Sequence, residues 1–248
     1  TSGGAGGYGS SRLFRLDPAT GQDEPIHKPL ITFGFDYSPD GKLLALSLPD
    51  MTNGTFDIWI LDLARDLSTR LTFASESEMT PIFSPDGQWV VYASDGYGSQ
   101  TNLVRKRLSG TGEPEVLLAD RRDCWPTDFS PDGRHIAITS SDSLGRMILE
   151  ILDLEDGTAT PLHGNATFSE GMGSFSPDGA WLASMSDETG QMEVFVESRT
   201  PGGGRYRVST SDLDTYLIPK KPQPVTAETL HATGRGIGYT KSPFAYLF

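Results

Sequence analysis

Four histidines, one cysteine and 33 acids are the groups in this 248-residue chain that could hold a metal or move a proton. A metal site needs side chains that converge on one point. His27 and His163 fall on what read as outer strands three repeats apart, His135 on a different strand of its repeat, and His231 in a proline-rich tail, so no two share a metal. Asp95-Gly96-Tyr97-Gly98 and Asp187-Glu188-Thr189-Gly190 offer oxygen ligands. Neither has the alternating spacing of a calcium loop, and both read as solvated turns. Cys124 stands alone, which excludes an internal disulfide and a thiolate cluster. There is no G-x-S-x-G elbow, no H-R-D loop and no D-F-G. Gly4-Ala5-Gly6-Gly7-Tyr8-Gly9 satisfies G-x-G-x-x-G, but no strand precedes it and a strand rather than a helix follows, so nothing cradles a phosphate. The inner strands offer Asp36, Glu78 and Asp128 without a histidine beside them. A chain without catalytic residues, metal or cofactor is expected.

Residues suited to recognition remain. Arg121, Arg122 and Trp125 are of the types that dominate binding hot spots, with Tyr97 and Met172 as apolar companions and Glu76, Glu78 and Glu170 as acids of the same rim. They fall in loops that lead into the first strand of each repeat (75–79, 120–125, 169–172) or join its second and third strands (49–55, 95–101, 142–146, 187–190). A structural role competes: Trp125 packs in a channel, and Arg121 and Arg122 pair with Asp120 and Asp123.

The elements that place these loops are set by a repeat. Ser-Pro-Asp-Gly begins at Ser38, Ser84, Ser130 and Ser176, each 46 residues after the last. Proline presets the first central position of a type I turn, aspartate tolerates the second, and glycine supplies positive φ at the exit. An aromatic precedes each turn (Tyr37, Phe83, Phe129, Phe175), and a short strand follows it at 42–47, 88–94, 134–140 and 180–186. In that strand Leu44, Val90, Ile136 and Leu182 are each followed by a small or β-branched residue, so both of its faces read as buried. Third strands are expected at 56–63, 102–108, 147–154 and 191–197, and fourth strands at 69–73, 115–118, 160–163 and 205–209. Four strands per repeat of this length, with no amphipathic helix between them, is the pattern of a propeller blade. The fold expected is all-β, a partial or truncated β-propeller ring of four-stranded antiparallel blades with a 46-residue repeat.

Residues 12–210 hold that ring as half a blade and about four units, after a flexible segment at 1–11 and before an irregular tail at 211–248. A fifth turn is due at residue 222, where the chain reads Pro222-Gln223-Pro224-Val225 instead. The chain opens at Thr1 and looks cut from something longer. Its net charge of −13 opposes binding to nucleic acid phosphates and anionic membranes, and no run of 18 apolar residues inserts this segment into a bilayer. The basic run Arg105-Lys106-Arg107 reads as a solvated strand face.

Leu71-Thr72, Pro81-Ile82-Phe83-Ser84-Pro85-Asp86-Gly87 and Trp89-Val90-Val91-Tyr92 resemble the WD-like repeat of TolB-type propellers. The run from Asp57 through Ile58, Trp59 and Ile60 to Arg65 is similar to the propeller that follows the kinase and membrane segments of certain bacterial serine/threonine protein kinases. The resemblance covers about residues 12–210, although that family usually carries tryptophan before the turn where this chain has tyrosine or phenylalanine. It implies an extracytoplasmic (periplasmic), non-catalytic sensor or docking module whose partner is a protein, a peptide or a small ligand at the channel mouth. The alternative is a propeller that gates a prolyl-oligopeptidase-like serine peptidase.

Overall fold

Each Ser-Pro-Asp-Gly turn closes in the same way. The glycine N–H donates to the serine carbonyl at 2.8 Å in all four copies, and Gly41, Gly87, Gly133 and Gly179 take φ of 67 to 71°, where a side chain is strained. The serine hydroxyl donates to the aspartate two residues on and accepts the N–H that opens the next strand, from Leu43, Trp89, His135 or Trp181. Bonds to the ionised carboxylate hold Asp40 down at about 2 and lower Asp86, Asp132 and Asp178 as well, the serine hydroxyl being the largest cause in each. The turns also step onto one another. A methyl added to Gly87 would lie 3.7 Å from Pro39 of the preceding blade, and one on Gly179 would lie 3.6 Å from Pro131.

The computed structural model describes residues 14–16, 23–25, 31–96, 100–119, 123–164 and 167–209. The stretches proposed as a flexible start and an irregular tail lie outside them, as do His27, His231, Tyr97, Arg121 and Arg122. β1 (Phe14–Leu16) pairs with β2 (Asp23–Pro25). Four meandering antiparallel sheets follow. Blade 1 is β3 (Phe35–Tyr37), β4 (Leu43–Asp50), β5 (Thr55–Asp62) and β6 (Leu67–Arg70). Blade 2 is β7 (Glu78–Phe83), β8 (Trp89–Ser94), β9 (Asn102–Arg107) and β10 (Glu115–Leu118). Blade 3 is β11 (Cys124–Phe129), β12 (His135–Ser141), β13 (Met147–Asp153) and β14 (Ala159–Pro161). Blade 4 is β15 (Glu170–Phe175), β16 (Trp181–Ser186), β17 (Glu193–Ser198) and β18 (Arg205–Arg207). The all-β, four-strand repeat expected from the sequence is therefore present, and no helix interrupts the described residues.

The second strands are buried on both faces because the blades stack face to face. Ala45, Ile58 and Leu71 of blade 1 meet Phe83, Val90, Tyr92 and Val104 of blade 2 in one cluster. Ile82, Val91 and Leu103 of blade 2 meet Cys124, Phe129, Ile136, Ile138 and Leu152 of blade 3 in the next. Ala137 and Leu149 of blade 3 meet Phe175 and Leu182 of blade 4. Each such side chain removed from water is worth about 1.5 to 3 kcal/mol, and no single blade could bury it alone.

Polar links register the same seams. The Asp36 carboxylate accepts the Phe83 N–H of the next blade at 2.8 Å. Asp128 accepts the N–H of Phe175 at 2.9 Å and the hydroxyl of Ser174 at 3.0 Å. These two inner-strand acids thus tie blade 1 to blade 2 and blade 3 to blade 4. Every inner strand of blades 2 to 4 is bulged near its middle, between Met79 and Ile82, Pro126 and Asp128, and Gly171 and Ser174. In blade 4 the strand lies so close to blade 3 that a Cβ on Gly173 would stand 2.7 Å from a Leu149 methyl.

Candidate functional site

The chain runs down each inner strand toward its Ser-Pro-Asp-Gly turn, so the starts of inner strands, the ends of outer strands and the loops between second and third strands share the opposite rim. That rim carries the apolar side chains that stand out most from the described surface: Met51 (85% exposed), Leu144 (78%) and Phe73 (70%). Isolated exposed apolar groups are ordinary, and these three share one rim, two on blade 1 and one on blade 3. Met51 and Leu144 cap the joining loops of blades 1 and 3, and Phe73 follows β6.

A cavity of about 180 Å³ opens where blades 3 and 4 meet, the volume of about one large side chain. Met147, Pro161 and Phe168 give it apolar walls, and Asp142, Arg146, His163 and Glu170 give it polar ones. Arg146 is held in place by Asp142, with Nε to Oδ2 and Nη2 to Oδ2 both at 2.7 Å. Glu170 is only 3% exposed and fully engaged. Its Oε1 accepts the Ser184 hydroxyl at 2.8 Å and faces Arg205 Nη2 at 2.8 Å, while Oε2 lies 2.7 Å from His163 Nδ1. His163 Nε2 is 3.2 Å from a Glu197 carboxylate oxygen, so the ring lies between two acids. Burial works against the charge of Arg205, but the Glu170 carboxylate beside it, then Glu197 and Glu188, outweigh that effect and raise its pKa above the usual arginine value.

The corresponding notch between blades 1 and 2 is built differently. Glu78, 92 residues before Glu170, is 2% exposed, and its Oε2 has no hydrogen-bond partner. Thr72, whose Oγ1 already accepts the Ile58 N–H at 2.9 Å, gives its hydroxyl to this carboxyl. Burial, reinforced by the nearby charge of Asp57, pushes Glu78 up to about 7. Asp57 is also raised by burial, although Arg70 Nη2 donates to it at 2.7 Å. Arg70 is further fixed by the Thr72 carbonyl at 2.8 Å and by Asp50 at 3.6 Å, and it stacks over Phe73 at 5.0 Å.

The structure moves several sequence-predicted residues. Glu78, Trp125, Glu170 and Met172, expected in loops, lie inside β7, β11 and β15. Glu78 and Glu170 are therefore buried seam acids and not exposed rim acids, because the inner strands begin earlier than their broken alternation suggests. Glu76 is the exposed rim acid of the set, and Ser75 donates to it at 2.7 Å. Trp125 is half-buried opposite Thr139. Met172 takes φ +57° at the bulge, and its N–H donates to Thr139 of blade 3 at 2.8 Å. Arg105 and Arg107, read as a plain solvated face, instead stack on Trp89 at 4.4 and 4.3 Å. Arg70 and Arg205 carry no signal in the sequence, and His163, weighed there only as a metal ligand, instead meets Glu170; the 92-residue spacing of Glu78 and Glu170 is the signal the sequence offers for these notches. Among the described residues no cluster of three metal-ligating side chains forms, and no helix is long and apolar enough to cross a membrane.

No protein-family model matches the chain. It is 28% identical over 214 residues to the Tol-Pal system protein TolB of Francisella tularensis subsp. holarctica, a match covering 85% of this chain and 48% of that one. The chain spans about half the length of the curated relatives it matches. Among solved structures it superposes on a candidate TolB from Agrobacterium tumefaciens with a TM-score of 0.65 at 21% identity, over 81% of this chain and 69% of the other. TolB from Acinetobacter baumannii gives a TM-score of 0.65 at 24% identity, over 78% and 47%. The fold is that of a TolB-like β-propeller.

Proposed function

We propose that this chain is a non-catalytic propeller that docks a protein partner on the rim carrying Met51, Phe73 and Leu144, with the cavity between blades 3 and 4 receiving one side chain of that partner. The observation that carries this reading is that the three most exposed large apolar side chains among the described residues and a side-chain-sized cavity lie on one rim, while the opposite rim sets Leu67 (58% exposed) among polar Ser-Pro-Asp-Gly turns. Interfaces draw their energy from a few apolar anchors seated in pockets within a polar surround. Fixed Arg146 and His163, with buried Glu170, keep that pocket's shape before the partner arrives, which lowers the ordering cost of binding.

Likeness to a Tol-Pal system protein supports a partner drawn from such a system and an extracytoplasmic location. The similarity of residues 57–65 to kinase-linked propellers supports a finer reading, a sensor within a larger signalling protein. Peptidase gating shares the architecture but has no residue of this rim in its favour.

The test is calorimetric titration of the purified chain with Tol and Pal proteins of the same organism. Binding is expected, and Leu144→Asp should weaken it about tenfold while Lys42→Glu on the opposite rim should not. Absence of binding, or equal weakening by both substitutions, would refute the docking assignment.

A further inference from the structure

Two of the three most exposed apolar side chains belong to the same corner of blade 1 and are tied together by one arginine. Arg70 stacks over Phe73 at 5.0 Å and reaches Asp50, the neighbour of Met51, at 3.6 Å. Its grip on buried Asp57 at 2.7 Å anchors the corner to the blade. Asn53 and the Thr52 N–H close the Met51 loop onto Asp50 at 3.5 and 2.8 Å. Both apolar groups are thus presented to water on a fixed base, a costly arrangement unless something covers them.

Charge says what covers them. The described loops of this rim carry Asp50, Glu76, Asp95, Asp123, Asp142, Asp187 and Glu188, while the described arginines at it, Arg70, Arg146, Arg205 and Arg207, are already held by Asp50, Asp57, Asp142, Glu188 and Glu193. The chain as a whole has a net charge of −13. A second copy of the chain or an anionic membrane is repelled from such a surface, whereas a basic segment is drawn to it. Glu76, three residues after Phe73 in the chain, is exposed, with its carboxylate accepting the Ser75 hydroxyl and lying beside Gly96 at the start of the next blade's joining loop.

Building on the docking function above, we propose that the Met51–Phe73 corner binds a cationic segment of the partner protein, whose apolar side chains seat on Met51 and Phe73 and whose lysine or arginine pairs with Glu76. This names the partner's chemistry and separates the corner from the cavity between blades 3 and 4.

The probe is a fluorescent synthetic peptide of alternating lysine and leucine, about a dozen residues long, titrated into the full chain and followed by anisotropy. Saturable binding that weakens with salt is expected. Phe73→Ser and Met51→Ser should each weaken it about tenfold and Glu76→Gln about threefold, all with unchanged melting temperature, while Asp40→Asn on the opposite rim leaves it unaltered. Equal binding of a lysine–serine peptide or of a glutamate–leucine peptide would overturn the proposal. So would self-association of the parent chain that Phe73→Ser abolishes. If Tol and Pal proteins bind the Phe73→Ser and Met51→Ser variants as tightly as the parent, this corner is not the contact although docking stands. If they do not bind the parent at all, it is the docking function that fails.

Discussion

Blades 2 and 4 begin with the same residue type at the same place, and their surroundings give the two glutamates opposite characters. Glu170 meets a serine hydroxyl, a histidine and an arginine within 2.8 Å. At the positions that strand register matches around Glu78, Ser184 is replaced by Tyr92, His163 by Thr72, and Arg205 by Pro114. Glu78 is left with Thr72 and an unpartnered Oε2. A repeat keeps backbone position while each seam supplies its own donors, and the donors decide whether a buried carboxyl has both oxygens engaged or one left orphaned. Blade 3 takes a third course, with Cys124 at this position inside an apolar cluster.

The sharpest way to break the comparison is to remove Glu170. Arg205 and His163 then lose their central counter-ion inside a seam, and removing one partner of a buried ion network costs about 3 to 5 kcal/mol. Urea unfolding of Glu170→Ala should show that loss. A loss under about 1 kcal/mol would mean that Glu188 and Glu197 suffice for the cations and that the two notches are not opposites.

How much of this could be seen in the sequence depends on which elements carried a regular signal. The turns and second strands did, because Ser-Pro-Asp-Gly fixes local geometry and a twice-buried strand leaves an unbroken apolar run such as Leu43 to Leu46. The first halves of the inner strands did not. Their bulges break the two-residue alternation, and Ser169-Glu170-Gly171-Met172-Gly173 has the composition of a loop although Glu170–Phe175 is a strand. The glycines there serve close approach to blade 3, a demand made by neighbours such as Thr139, Ala137 and Leu149 that lie in the preceding blade. For the same reason Glu78 and Glu170 read as rim acids in the sequence although both are buried in strands. No local pattern announces that His163, just past the end of β14, meets an acid of the next blade.

Next in size is the pH dependence that Glu78 confers. Its folded-state pKa of about 7 lies above its ordinary value of 4.5, so between those pH values the folded chain keeps a proton that the unfolded chain has released. Stability from this group is therefore full below about pH 4.5 and lost as pH rises toward 7, by about 1.4 kcal/mol per pH unit and roughly 3 kcal/mol in all. Glu78→Gln should abolish this slope and be more stable than the parent at pH 8, with the difference vanishing near pH 4.5. Because Glu170 has its cations, Glu170→Gln should show no comparable gain at pH 8. Parallel melting curves of Glu78→Gln and parent from pH 5 to 8 would show that Glu78 is ionised throughout and that the contrast between the blades is wrong.

The smallest effect concerns the bulges beside these acids. Thr80 and Met172 occupy the same position and both take left-handed backbone, at φ +51° and +57°. Met172 is compensated by its N–H bond to Thr139 of the neighbouring blade at 2.8 Å. Thr80 is β-branched, which makes that conformation harder, and its Oγ1 is buried without a partner. Thr80→Gly removes both penalties and adds the extra chain entropy of glycine in the unfolded state, two opposing terms of about 1 kcal/mol each. A net gain below about 1 kcal/mol is expected in urea unfolding at pH 5, where Glu78 is protonated and cannot contribute. Met172→Gly should be a net loss, since its backbone is already satisfied and its half-buried side chain would be removed. If instead Thr80→Gly destabilises by as much as Met172→Gly, the strain at Thr80 is repaid by packing in the seam, and blade 2 is as well fitted to blade 1 as blade 4 is to blade 3.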